Sequence, residues 1–336
     1  MSQVRTPFSE YIRHIGRGKK AGKYLTQEQA FDAMTQAING KISDEQLGAF
    51  LMLLRVREES EAELAGFLQA VRESTLTEVK ALKSISLDIG CYAGKRRQLP
   101  WFLLAVLALA DSGQKIFLHG TQEPQSQRLY LDQIFKQLNL PTSRNIFQAN
   151  ESLTENGFCY MELGDINPKL KQLIDLRELF GLRTCANTLA RMLNPTHATY
   201  SLHGVYHKEF DERHIQVANL VNDTNVACFR GEGGEVEVKA DRNFTLHLND
   251  CKGVAHTLAF PQLYSGRQHK ADMADISQLK SVWQNIQQDE YATSAITGTL
   301  AVMLSLTKTL NCGDALISAK TLWNNRNINR YFNEVY

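Results

Sequence analysis

A chain of 336 residues that is 43% hydrophobic and 22% charged has the composition of an ordinary soluble globular protein, long enough for two domains and an ample core. Its formal net charge of +1 excludes a global basic field, so any affinity for a polyanion must come from local clustering. Six scattered cysteines without a CxxC pair argue against a zinc or redox motif and fit free thiols in a reducing cytoplasm. The N-terminus lacks the apolar stretch of a signal peptide, and the longest apolar run, Leu99 to Ala110, is too short to span a bilayer.

In chain order, residues 7–76 read as four helices. Phe8, Tyr11, Ile12 and Ile15 form the first apolar stripe, which Gly16-Arg17-Gly18-Lys19-Lys20 breaks. Thr26 to Gln29 and Ser43 to Gln46 both resemble capping boxes. From Ser84 the pattern changes. Short strand candidates at 85–89, 115–118 and 157–161 alternate with helices near 99–112 and 124–138, which predicts parallel strands with crossover helices. Residues 168–193 then read as two helices. Pro168 suits a first helical turn, Gly181 a C-cap, and Asn194-Pro195 a stop. Further strands are predicted at 198–202, 226–230, 234–239 and 244–248, with a helix near 207–221, an irregular segment over 252–270 and three closing helices over 272–326.

The segment Gly164 to Pro195 carries Asn167-Pro168, Lys171, Arg177, Gly181, Arg183-Thr184, Asn187 and Asn194-Pro195. In these residues and their spacing the chain resembles the anthranilate phosphoribosyltransferase family, and chain length and segment order extend the resemblance over nearly all of it. The resemblance implies an α/β fold with a discontinuous small all-helical domain (1–79 and 165–194). The large domain (80–164 and 195–336) is expected to hold a mainly parallel sheet flanked by helices. It also implies a homodimer joined through the small domain, and an Arg177 that contacts an aromatic acid substrate.

The family's phosphate- and metal-binding groups are altered here. Where the family has a G-T-G-G-D loop, this chain has Gly90-Cys91-Tyr92-Ala93-Gly94-Lys95, so Lys95 falls on the aspartate and only Gly94 matches. Trp101 stands near an asparagine position, and Leu103-Leu104 replace a hydroxyl pair. The second element keeps His119-Gly120 but lacks lysine, asparagine and arginine, and the third keeps Glu235 with Val236 in the second acid's place. Glu232 and Glu237 are the nearest acids able to substitute. Hydroxyls and carboxylates hold Mg²⁺ and diphosphate, so their joint loss reads as a degenerate site with no catalytic residues, no metal and no cofactor. The alternative is a phosphoribosyltransferase or other glycosyltransferase with an altered donor site, for which Mg²⁺ would be needed.

Basic residues take the site's place: Lys95, Arg96 and Arg97 before a helix start, Arg17, Lys19, Lys20 and Lys23 in the first inter-helix loop, and Arg177 and Arg183 on the central helix pair. A similarly altered loop and the Ile15 to Lys19 element resemble the YbiB-type branch of the family, which implies nucleic-acid binding, to single or double strands, in the cytoplasm and without a membrane. Tyr92 and Trp101 are the aromatic candidates for base stacking, although Trp101 also suits the core. His119 reads as structural beside its turn.

Overall fold

The computed structural model describes residues 7–18, 22–124, 126–266 and 274–332. Five helices open the chain: α1 (Phe8–Ile15), α2 (Gln27–Ile38), α3 (Asp44–Arg57), α4 (Glu61–Glu73) and α5 (Thr77–Lys80). The capping boxes at Thr26 and Ser43 form as the sequence predicts, and Ser60 makes a third with Glu63. Each satisfies helix-end N–H groups that nothing else pairs.

The α/β part follows as β1 (Leu87–Cys91), α6 (Phe102–Asp111), β2 (Ile116–Gly120), α7 (Leu131–Gln137), α8 (Ile146–Glu155) and β3 (Phe158–Glu162). The inserted helices are α9 (Pro168–Asp175), α10 (Arg177–Phe180) and α11 (Ala186–Arg191). The chain returns through β4 (Tyr200–Val205), α12 (Phe210–Leu220), β5 (Val226–Arg230), β6 (Phe244–Asn249) and β7 (Ala255–Phe260). It closes with α13 (Ser277–Trp283), α14 (Glu290–Lys308) and α15 (Cys312–Asn324). The sheet has seven strands in the order β3-β2-β1-β4-β5-β6-β7. β1 to β5 are parallel, and β6 and β7 are antiparallel.

Alternation along the strands divides the interior into two layers. Ile116 and Leu118 of β2 pack with α6 and the three closing helices. Phe117, from the opposite face, packs with Cys159 and Met161 and with the N-terminal helices. The apolar interior of the helical part, centred on Phe50 and Phe67, therefore runs on into one face of the sheet. The inserted helices join that layer: Leu173 and Leu189 are buried with Leu68 and Val71. Asn167 caps α9, accepting from Leu170 N–H at 3.0 Å, and its amide donates to Val71 O at 2.7 Å. Arg72 ties α4 to the end of the insertion, donating to Leu193 O at 2.9 Å and Met192 O at 2.7 Å while forking onto Asp223.

Three sequence expectations need correction. Residues 234–239 are not a strand. Val238 N–H donates to Thr299 Oγ1, and Glu235 and Glu237 turn inward beside Val236. Their alternation of acid and valine mimics a half-buried strand only because both carboxylates have internal partners. The segment 252–270 contains β7, an edge strand exposed along most of its length, so it shows no apolar alternation. The helix predicted over 124–138 is confined to 131–137, the described residues before it form a connection from β2, and α8 lies where no helix is predicted. Among the described residues, no single helix is long and apolar enough to cross a membrane.

Candidate functional site

Parallel strands expose their carboxyl ends along one edge, where open α/β sheets bind ligands. Here that edge gathers the turns after β1 (Tyr92–Gly94), β2 (Thr121–Glu123), β4 (Tyr206–Lys208) and β5 (Gly231–Gly234).

The turn after β1 is fastened from within. Gly94 adopts φ +64°, and its N–H donates to Glu235 Oε1 at 2.6 Å. Arg128 Nη1 donates to Ala93 O and Gly94 O, and the Lys95 backbone pairs in both directions with Leu129. The Lys95 side chain turns inward. Its Nζ lies 2.7 Å from Glu237 Oε1 and donates to Glu232 O at 3.1 Å. Lys95 is 2% exposed, so it does not stand at the mouth of the cleft as the sequence reading expected. Glu237 Oε2 also accepts from Phe102 N–H at 2.9 Å. The start of α6, expected to face a phosphate, thus meets an internal carboxylate.

Burial pushes the Glu237 carboxyl above its ordinary range, opposed by Lys95, and does the same to Glu235, opposed by Arg191. Glu235 Oε2 has no hydrogen-bond partner among the described residues. Val236, Leu103 and Leu104 are core residues at 0% exposure. Among the described residues no three His, Cys, Asp or Glu side chains come together as a metal site. An ammonium where the family has an acid, valine for the second acid and leucines for hydroxyls do not fit a hard, oxygen-seeking cation such as Mg²⁺.

His119 and Gly120 end β2. A Cβ at Gly120 would lie 2.4 Å from Cys91 O, which explains the glycine by close backbone approach. His119 Nδ1 is 2.6 Å from the Tyr92 hydroxyl, and both side chains are buried. Tyr92 is therefore no stacking surface, and Trp101 lies in the core.

Arg177 and Arg183 do converge, but on a residue the sequence reading missed. Both guanidinium groups engage Glu123, whose side chain is 1% exposed. The only sequence signal was Pro124, which disfavours helix at the preceding residue and marks the connection for what it is. Arg96 and Arg97 are exposed and form no ion pair with any described residue. Arg97 holds φ +59°. Arg17 and Lys23 are exposed in the α1–α2 connection, well apart in the chain from the Arg96–Arg97 turn, while Lys19 and Lys20 lie outside the described residues.

The structure adds cations beyond those expected. A cleft of about 690 Å³ at the ends of β4 and β5 is lined by Tyr206, Lys208, Arg230 and Arg242, with Glu209 and Glu212 among its acids. A Cβ at Gly233 would stand 3.8 Å from Gly94 O, so this cleft adjoins the β1 turn. The sheet-edge rule would have found these residues from the strand ends alone.

A discontinuous helical layer on a mainly parallel sheet, with its altered turns at the carboxyl edge, defines the class. Residues 9–75 match the helical bundle domain of a glycosyl transferase family, and residues 104–321 match the a/b domain of that family. The chain belongs to this glycosyl transferase family, and within it is anthranilate phosphoribosyltransferase-like and of the YbiB type. It is 29% identical to YbiB of Escherichia coli K12 over 252 residues, covering 74% of this chain and 78% of that protein. It is 28% identical over 235 residues to an anthranilate phosphoribosyltransferase of Persephonella marina, covering 69% and 68%. The anthranilate phosphoribosyltransferase structure from Thermus thermophilus superposes with a TM-score of 0.72 at 19% identity, covering 94% of each chain. The Saccharomyces cerevisiae enzyme in complex with 4-fluoroanthranilate gives 0.74 at 18%, covering 97% and 95%. At these identities the structural likeness establishes the fold.

Proposed function

We propose that this chain is a catalytically degenerate phosphoribosyltransferase-like protein that binds nucleic acid through its backbone phosphates. The carrying observation is the exposed Arg96–Arg97 pair on the turn that in the family receives phosphate, while Lys95 and Glu237 fasten that turn from below. Lys208, Arg230 and Arg242 extend the cationic groups into the adjoining cleft, where Tyr206, 65% exposed, offers a ring to a base. Phosphate contacts carry no base information, so binding is expected to be largely indifferent to sequence and open to single and double strands. The buried ammonium and the valine argue against family catalysis and against a Mg²⁺ requirement. A homodimer joined through the helical part, where Val56, Leu179 and Leu182 are exposed, and a cytoplasmic location belong to the same proposal.

The test is a titration of labelled single- and double-stranded oligonucleotides at two salt concentrations. Affinity that falls steeply with salt and ignores sequence is expected. No binding at low salt would end this reading. Sedimentation of the wild type and a Val56→Glu/Leu179→Glu variant tests the dimer.

A further inference from the structure

The cleft beyond the ends of β4 and β5 differs in charge from the turn it adjoins. Arg96 and Arg97 on the turn are exposed cations without an ion-pair partner among the described residues. Inside the cleft, Lys208, Arg230, Lys239 and Arg242 are matched by Glu209, Asp211, Glu212 and Glu232. Lys239 Nζ already lies 3.1 Å from Glu232 Oε2. A polyanionic backbone drawn into this space would meet as many carboxylates as cations, and their repulsion would offset the attraction. Farther on, the cleft shares Asn243, Phe244 and Thr245 with a second hollow of about 470 Å³, and none of the described residues lining that hollow is charged. Formal charge thus runs from positive on the turn, through balanced, to none.

That lining suits a flat, neutral ring with hydrogen-bonding edges. Tyr206, 65% exposed, stands beside the β1 turn: a Cβ at Gly234 would lie 3.2 Å from Tyr206 Cβ and 3.5 Å from Ala93 Cβ. Phe244, stacked on Phe260 with ring centroids 4.8 Å apart, is common to both hollows. Lys208, Arg230, Glu209 and Glu212 are exposed and form no ion pair among the described residues. Such cations donate to the oxygens and ring nitrogens of bases, and carboxylates accept from their exocyclic amines. The cleft volume of about 690 Å³ lies within the range of small-ligand sites.

We propose that this cleft receives an unpaired base of the bound strand, stacked on Tyr206, while the strand's phosphates stay on the Arg96–Arg97 turn. The inference rests on the nucleic-acid reading and adds a strand preference to it. A single strand binds through phosphates and a base, whereas a duplex binds through phosphates alone, because a paired base enters only after leaving its stack. Donors and acceptors line the cleft together, so the preference is for an unpaired base and not for one particular base.

The test uses the full chain as wild type, Tyr206→Phe, which keeps a ring, and Tyr206→Ala, which removes it. Each is titrated with a labelled single-stranded oligonucleotide, with an abasic strand of the same length, and with a duplex. The two single strands carry the same phosphate charge, so the difference between them reports the bases alone. The wild type and Tyr206→Phe are expected to bind the base-bearing strand at least about fivefold more tightly than the abasic one. Tyr206→Ala should bring the two single strands to within about twofold of each other, with the salt slope and the duplex affinity unchanged. Equal wild-type affinities for the two single strands, or a base preference that survives Tyr206→Ala, would overturn the proposal and leave the phosphate-binding reading standing. Failure of every probe to bind at low salt would overturn both.

Discussion

Lys95 Nζ lies 2.7 Å from Glu237 Oε1, and neither side chain is more than 1% exposed. A residue at the centre of the basic turn is thus a buried structural cation. Removing one member of a buried pair strands the other, which costs about 3–5 kcal/mol, whereas removing both with shape-preserving groups is far milder. Lys95→Met should therefore lose about 3–5 kcal/mol in urea unfolding, and Lys95→Met/Glu237→Gln should regain most of it. A single-variant loss below about 1 kcal/mol would contradict the pairing.

Arg96 and Arg97 are the opposite case. Both are exposed, so Arg96→Ala/Arg97→Ala should leave the melting temperature nearly unchanged. If each neutralises one phosphate, the slope of log affinity against log salt should shrink by about 1.4 to 1.8 units, at about 0.7 to 0.9 per contact. The reduction should be equal for every oligonucleotide sequence of one strand type. An unchanged slope moves the interface toward Lys208, Arg230 and Arg242.

Incubated with anthranilate, phosphoribosyl diphosphate and Mg²⁺, the protein should give no product above a heat-treated control. Val236, Leu103 and Leu104 are buried core residues with no side-chain oxygen to offer a metal or phosphate. Measurable turnover would restore the enzyme reading.

The rings of His203 and His214 meet with their Nδ1 atoms 3.3 Å apart, both buried. Burial first, then neighbouring positive charge, lowers both below the ordinary 6.5, His214 to about 3. The folded state keeps them neutral while the unfolded chain takes up protons below pH 6.5, so stability present at neutral pH is lost as pH falls. Between about pH 7 and 5, unfolding free energy should fall by up to about 1.4 kcal/mol per unit and per ring once below that value. His214→Gln should flatten the dependence. A pH dependence of the urea midpoint between about pH 7 and 5 that is the same in the wild type and His214→Gln would refute the account.

The inserted helices were legible from local signals, although the sequence reads as two helices where the structure has three. Pro168, the left-handed Gly181 and the apolar spacing of Leu170, Leu173 and Ile174 act within a few residues of themselves. β7 and the short α7 were not, because an exposed edge strand has no apolar face to show and the connection before α7 shares its composition with a helix.

By itself the sequence determined the layered α/β class, the helical opening of the chain and the inserted helices. Those properties are carried by periodicity, capping residues and side-chain chemistry at single positions. Only the tertiary structure decided which charges are available. Lys95 meets Glu237 across 142 positions, and Arg183 meets Glu123 across 60. Whether a cation faces solvent or an internal carboxylate depends on which distant segments the fold brings within hydrogen-bonding reach. No local pattern records that distance, so two clusters that read alike in the chain, one of them open and one closed, separate only once the sheet and the helices have packed.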